Sequence, residues 1–177
     1  SAGDRITELL GGGRDLERSA IAFDLSGDRP AEIEDLTYTG TAAAVLSGND
    51  LGNRITSLGA GADVLSGGEG NDTLSGGGGA DTLIGGLGDD HYLLGAGDVV
   101  VEAAGEGRDT YEGAITTIAT GGDATTIENL VYTLATGAVL VGNDLDNLVE
   151  GGSGADTIFG GLGRDSLAGG AGADQIS

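Results

Sequence analysis

The sequence has no cysteine, no methionine and no tryptophan, and only one proline and one histidine. Without cysteine there is neither a disulfide framework nor a thiolate metal site. With His91 as the lone imidazole, a Ser/His/Asp or Cys/His catalytic centre lacks its parts, and a plain strand or cap role is expected for that residue. Lysine is missing too, since all seven basic residues are arginine, and this rules out a phosphate-binding P-loop. Aromatic residues make up 3%, so a conventional globular core is not expected. No apolar run approaches the roughly 18 residues of a transmembrane span. No basic-then-apolar leader opens the chain, and the expectation is a segment of a longer protein. No G-x-G-x-x-G, nucleophile elbow or EF-hand loop is found, and no catalysis is expected.

Two residue types are in excess. Glycine supplies 38 of 177 residues, and 29 acidic side chains against seven basic ones give a net charge of −22. An anion of this strength is repelled by nucleic acid and by anionic membrane surfaces, so no nucleic-acid partner and no membrane insertion are expected. Composition alone describes a flexible, disordered chain.

Periodicity overrides that description. From Leu58 the chain reads LGAGADVLS, GGEGNDTLS, GGGGADTLI, GGLGDDHYL, and from Gly151 GGSGADTIF, GGLGRDSLA, GGAGADQIS. All seven units have glycine fourth and aspartate sixth, and six open with Gly-Gly. A longer period lies above this one. GDRITELLGGGRD at Gly3 returns as GDVVVEAAGEGRD at Gly97 (97 − 3 = 94), and IEDLTYT at Ile33 returns as IENLVYT at Ile127 (127 − 33 = 94). GNDLGNRI at Gly48 returns as GNDLDNLV at Gly142, again 94 later, after which the offset falls to 93 because copy one carries an extra residue near Ser57. Four sections follow: an irregular β section over 1–47, a nonapeptide block over 48–94, a second irregular section over 95–141, and a second block over 142–177.

Within each nonapeptide, x-U-x (U large and apolar) is a minimal strand whose central side chain points opposite to its neighbours. G-G-x-G-x-D is a tight turn in which glycine supplies positive φ and close backbone approach. Two units make a coil of eighteen residues. Stacked coils form two parallel sheets, each strand pairing with the one eighteen residues on, with Leu65, Leu74, Leu83, Tyr92, Ile158, Leu167 and Ile176 stacked between them. Stacking also brings like-charged aspartates together: Asp63 with Asp81, Asp72 with Asp90, and Asp156 with Asp174. A hard cation between coils relieves that repulsion, and calcium takes six to eight oxygen ligands of this kind.

GGEGNDTLS and its neighbours resemble the calcium-binding nonapeptide of repeats-in-toxin (RTX, haemolysin-type) proteins. The resemblance implies an all-β fold, a parallel β-roll (a β-solenoid) with two calcium-binding blocks joined by an irregular β section. It also implies Ca2+ as the cofactor and a secreted, extracellular bacterial protein exported by type I secretion. The ligands it implies are the carboxylates of Asp63, Asp72, Asp81, Asp90, Asp156, Asp165 and Asp174. Turn carbonyls complete them, from Gly67, Gly68, Gly70, Gly76, Gly77, Gly79, Gly85, Gly86 and Gly88 in the first block. In the second block they are Gly151, Gly152, Gly154, Gly160, Gly161, Gly163, Gly169, Gly170 and Gly172. Asn53 and Asn147 hold the aspartate place of the preceding units and offer uncharged amide oxygens.

The function expected is calcium-driven folding that stabilises or scaffolds an attached domain. The alternative is a calcium-dependent module for extracellular polysaccharide or a surface layer, as in secreted alginate epimerases or adhesins. Tyr38 and Tyr132 correspond across the long repeat and are expected to fill the core, with sugar stacking the other option. Glu8 and Glu102, and Asp15 and Asp109, also correspond; solvated structure is expected for them, with extra metal ligation or coil capping as alternatives.

Overall fold

The computed structural model describes residues 15–20, 22, 24–25, 33–114 and 126–177. Glu8 lies outside them. Every regular element among the described residues is a strand. In the first long repeat these are β1 (Asp15–Ser19), β2 (Ile33–Tyr38), β3 (Val45–Ser47), β4 (Arg54–Ser57), β5 (Val64–Glu69), β6 (Thr73–Ser75), β7 (Thr82–Leu87) and β8 (His91–Leu94). In the second they are β9 (Val99–Val101), β10 (Asp109–Gly113), β11 (Ile127–Tyr132), β12 (Val139–Val141), β13 (Leu148–Glu150), β14 (Thr157–Phe159), β15 (Ser166–Ala168) and β16 (Gln175–Ile176).

Apart from the consecutive neighbours β1/β2 and β10/β11, the strands alternate between two faces, and all of their pairings are parallel. One face is a continuous nine-stranded sheet in the order β1-β2-β4-β6-β8-β10-β11-β13-β15. The other carries β3-β5-β7-β9 and β12-β14-β16. The nine-stranded sheet passes without a break through the section between the blocks, because β10 pairs with β8 and with β11. The chain is thus a parallel β-solenoid, and the described spacer strands β1, β2, β10 and β11 join the same sheet as the repeats.

Most strands send one large side chain inward, and β2 and β11 each send three. Along the long sheet the register stacks Leu36, Ile55, Leu74, Tyr92, Tyr111, Leu130, Val149 and Leu167. On the opposite face Leu46, Leu65, Leu83 and Val100 stack in one column, and Leu140, Ile158 and Ile176 in another. Leu65, Leu74, Leu83, Tyr92 and Ile158 are fully buried, and Leu167 packs against this core. Ile176 departs from the expected ladder: it is 49% exposed, because no coil of this chain covers the last strand. All four tyrosines, Tyr38, Tyr92, Tyr111 and Tyr132, are buried, so none presents a face for stacking on a sugar ring. Within the repeats each coil buries two large apolar groups, each contributing about 1.5–3 kcal/mol.

The eighteen-residue step holds within the blocks, as in Val64↔Thr82, Thr73↔His91 and Thr157↔Gln175. It lengthens to nineteen at Arg54↔Thr73, where the second copy has eighteen at Leu148↔Ser166. The extra residue of copy one is taken up here: β4 has four residues and β13 three. At the end of the first block the step is seventeen on one face, Thr82↔Val99, and nineteen on the other, His91↔Thr110. The copies share one further irregularity, a register shift after Asp15 and after its counterpart Asp109.

Candidate metal sites between the coils

The glycines of G-G-x-G divide their work. The second and fourth have positive φ in most units, as at Gly68 (119°), Gly70 (101°), Gly86 (100°) and Gly88 (131°), a region where a side chain is strained. Gly77, Gly79, Gly161, Gly163, Gly170 and Gly172 do the same, whereas Gly152 and Gly154 do not. The opening glycine is needed for space. A Cβ on Gly67, Gly76, Gly85, Gly160 or Gly169 would fall on the carboxylate of the aspartate five residues later, and one on Gly151 would crowd Asp156. The turns also stack closely: a Cβ on Gly86 or Gly88 would strike the carbonyl oxygen of Gly68 or Gly70, one coil back.

The aspartates form a ladder. Oδ1 of Asp81 accepts the backbone N–H of Asp63 at 2.7 Å, and Oδ1 of Asp90 that of Asp72 at 2.8 Å. Asp72 caps Asn53 (2.7 Å), Asp63 caps Ala44 (2.8 Å), Asp156 caps Ala138 (2.8 Å), Asp165 caps Asn147 (3.0 Å) and Asp174 caps Asp156 (2.9 Å). Each carboxylate therefore spends one oxygen on the coil before it. The other is left over: Oδ2 of Asp63, Asp72, Asp81, Asp90 and Asp156 is buried without a hydrogen-bond partner. Asp165 and Asp174, near the last strand, are only half-buried.

Orphaned buried carboxylate oxygens are costly, and at Asp72, Asp81 and Asp90 the cost appears in the acidity. Burial first, then the Asp90 charge, pushes Asp72 up to about 7 against the pull of the Asn53 amide. Burial, Asp89 and Glu106 push Asp90 up to about 6, opposed by the Asp72 amide. Asp81 is raised by burial, with Asp98 and Asp63 adding to it.

Asn53 and Asn147 occupy the same station with a different outcome. Oδ1 of Asn53 accepts the Asn49 amide at 2.8 Å, and its Nδ2 donates to the Ile33 carbonyl at 3.1 Å. Oδ1 of Asn147 accepts the Asn143 amide at 2.8 Å, while its Nδ2 donates to the Glu128 carbonyl at 3.1 Å and to Asn143 Oδ1 at 3.0 Å. In both coils the amide oxygen lies over the opening glycine, where an aspartate has its spare oxygen, and is taken by an N–H of its own turn, while the N–H2 faces the coil before.

The ladder also runs beyond the repeats. Asp98 caps Asp81 (3.0 Å), Asp109 caps Asp90 (2.9 Å), Glu128 caps Asp109 (2.9 Å) and Glu34 caps Asp15 (2.9 Å). Asp109 is buried, so the solvated role expected from its sequence does not hold. The correspondence of Glu34 with Glu128 (128 − 34 = 94) was the available sequence signal for the spacer caps. His91 stands on β8 with Nε2 2.7 Å from Glu112 Oε2, in keeping with a strand role.

The donor set suits a hard divalent cation: anionic oxygens and stacked turn carbonyls, with neither nitrogen nor sulfur. A profile of the RTX calcium-binding nonapeptide repeat family, in four copies, matches residues 58–101 and 141–176. Both matched stretches are RTX calcium-binding repeats. The RTX repeat accounts for the glycine and aspartate register, and RTX nonapeptide repeats bind Ca2+. No curated protein matches the chain significantly.

Proposed function

We propose that this chain is a calcium-triggered folding module of a secreted bacterial protein, one that orders outside the cell and scaffolds an attached domain. The observation that carries this reading is the set of buried, unpartnered Oδ2 atoms at Asp63, Asp72, Asp81, Asp90 and Asp156, in a chain of net charge −22. With these oxygens unneutralised, the thin core does not offset the ordering entropy and the repulsion. Calcium between coils removes charge and links neighbouring turns, so binding energy becomes folding energy. The ligands in this reading are the Oδ2 atoms of the RTX aspartates and the carbonyls of the RTX turn glycines. Asn53 and Asn147 act as metal-free joints. Extracellular calcium modules work at about 10⁻⁴ to 10⁻³ M, far above cytosolic calcium, which is the physical basis for folding after export. The polysaccharide-binding alternative has no comparable observation behind it, since the tyrosines lie in the core.

Far-UV circular dichroism in chelator and then in millimolar calcium tests the proposal. A disordered spectrum that becomes β on adding calcium is expected. A β spectrum unchanged by chelator overturns it.

A further inference from the structure

At the end of the first RTX block two carboxylates outside the nonapeptide pattern, Glu102 and Asp109, meet the last aspartate of that block, Asp90. Glu102 follows β9, and the pairing of Leu83 with Val100 and Ile84 with Val101 sets it beside Gly85, the opening glycine of the coil before. In the repeats that station is glycine because an aspartate carboxylate lies over it. Here it carries a glutamate whose Oε1 accepts the Tyr92 hydroxyl. Its Oε2 is buried without a partner. One carboxylate oxygen from each of Asp90, Glu102 and Asp109 lies within 4.8 Å of the others. Asp90 and Asp109 are each 1% exposed, and Oδ2 of Asp90 is likewise buried and unpartnered.

No described cation balances this group. Burial acts most strongly on Glu102, then the charges of Asp109, Asp90 and Glu106, and together they push it up to about 8 against a single backbone hydrogen bond from Gly85. Asp109 is pushed to about 7 by burial, Asp90, Glu128 and Asp89, against the Asp90 amide. Two oxygens on one calcium lie at most about twice the Ca–O distance apart, ~4.6–5.2 Å, and the cluster already falls within that span.

We propose that Asp90, Glu102 and Asp109 form a further calcium site, which joins the first RTX block to the spacer. It rests on the RTX reading only for the choice of metal. Each RTX turn gives one spare carboxylate oxygen; this site gathers three carboxylates, so it is the tightest among the described residues. Its position has a consequence for the fold. The coil step changes here to seventeen on one face and nineteen on the other, so the turns no longer stack in repeat register. A cation held by Asp90 from one coil and by Glu102 and Asp109 from the next carries the solenoid across that irregularity.

Two measurements on the full chain test the site. Native mass spectrometry from calcium-containing solution counts the ions bound by the chain and by Glu102→Gln, which keeps the shape and removes one charge. One ion fewer in the variant, with the tightest binding step weakened tenfold or more, is expected. An unchanged count with an unchanged tightest step overturns the site. Terbium then replaces calcium, with excitation through tyrosine. The Tyr92 hydroxyl is bonded to Glu102, so its ring is the nearest sensitiser, and loss of most of the emission in Tyr92→Phe is expected. Emission unchanged in Tyr92→Phe, or absent from the unmodified chain, overturns the site. If one variant does not fold in calcium, the measurement on the other decides. The folding proposal fails separately: a chain that is β in chelator but still loses an ion in Glu102→Gln refutes calcium-triggered folding and keeps this site.

Discussion

Asp81 holds the coil before it through a single bond, its Oδ1 accepting the Asp63 backbone N–H at 2.7 Å, while its Oδ2 is buried with no partner. One carboxylate thus does two separable jobs. In Asp81→Asn the amide keeps an oxygen for the Asp63 N–H and loses the charge. The variant is expected to need about tenfold more calcium to fold while reaching the same β spectrum at saturation. Asp81→Ala also orphans the Asp63 N–H and is expected to lose about 1–3 kcal/mol more at saturating calcium. Calcium titrations followed by circular dichroism, with thermal melts, separate the two. Equal behaviour of the two variants would show that the cap contributes nothing.

The three neighbouring glycines Gly76, Gly77 and Gly78 should respond differently to alanine. At Gly76 the new Cβ falls on the Asp81 carboxylate, and at Gly77 φ is +80°, so both variants are expected to lower the thermal midpoint in calcium. At Gly78 the nearest atom lies at 3.4 Å and φ is ordinary. Gly78→Ala is expected to be neutral, or to stabilise by about 0.4–1 kcal/mol through a less flexible unfolded chain.

Asn53→Ala tests the metal-free joint. It removes the acceptor of the Asn49 amide and a donor to the Ile33 carbonyl. A loss of about 1–3 kcal/mol is expected, with no change in the number of calcium ions bound. One ion fewer by native mass spectrometry would make Asn53 a ligand.

The acidity of the buried carboxylates fixes the sign of the pH dependence. Asp90, Asp72, Asp109 and Glu102 are raised to about 6, 7, 7 and 8 in the folded chain, from 3.8 for the aspartates and 4.5 for the glutamate. Groups raised on folding favour the fold when protonated. Their contribution is complete below the unfolded values and is lost as pH rises through about 6 to 8. The chelated chain is therefore expected to gain β structure as pH falls from 8 to 4. Calcium must displace these protons, so its affinity is expected to rise over the same window, about tenfold per pH unit for each proton released. Calcium affinity independent of pH between 6 and 8 would contradict the burial of these groups.

Magnesium is expected to replace calcium poorly. It demands a near-octahedral shell at about 2.0–2.1 Å and gives up water reluctantly, whereas the carbonyls and carboxylates here are fixed by coil stacking. Folding at equal millimolar magnesium would refute a calcium-specific role.

The sequence by itself determined the coil. Glycine at the first, second and fourth places and aspartate at the sixth are local demands, for carboxylate space, for positive φ and for a cap, and a local demand repeated every nine residues is readable without coordinates. It also determined which side chains stack, from Leu65 to Ile158, because strand alternation fixes the inward residue. The tertiary structure alone decided what happens where the nine-residue beat stops. Whether Asn53 meets a cation or the Ile33 carbonyl depends on the residue one coil back, twenty positions away. Glu102 reaches Asp90 and Asp109 only because the coil step becomes seventeen on one face and nineteen on the other. The nine-stranded sheet crosses the spacer for the same reason: parallel pairing is satisfied by stacking neighbours, and a non-repeat coil serves as well as a repeat one provided it returns its strand to the right height.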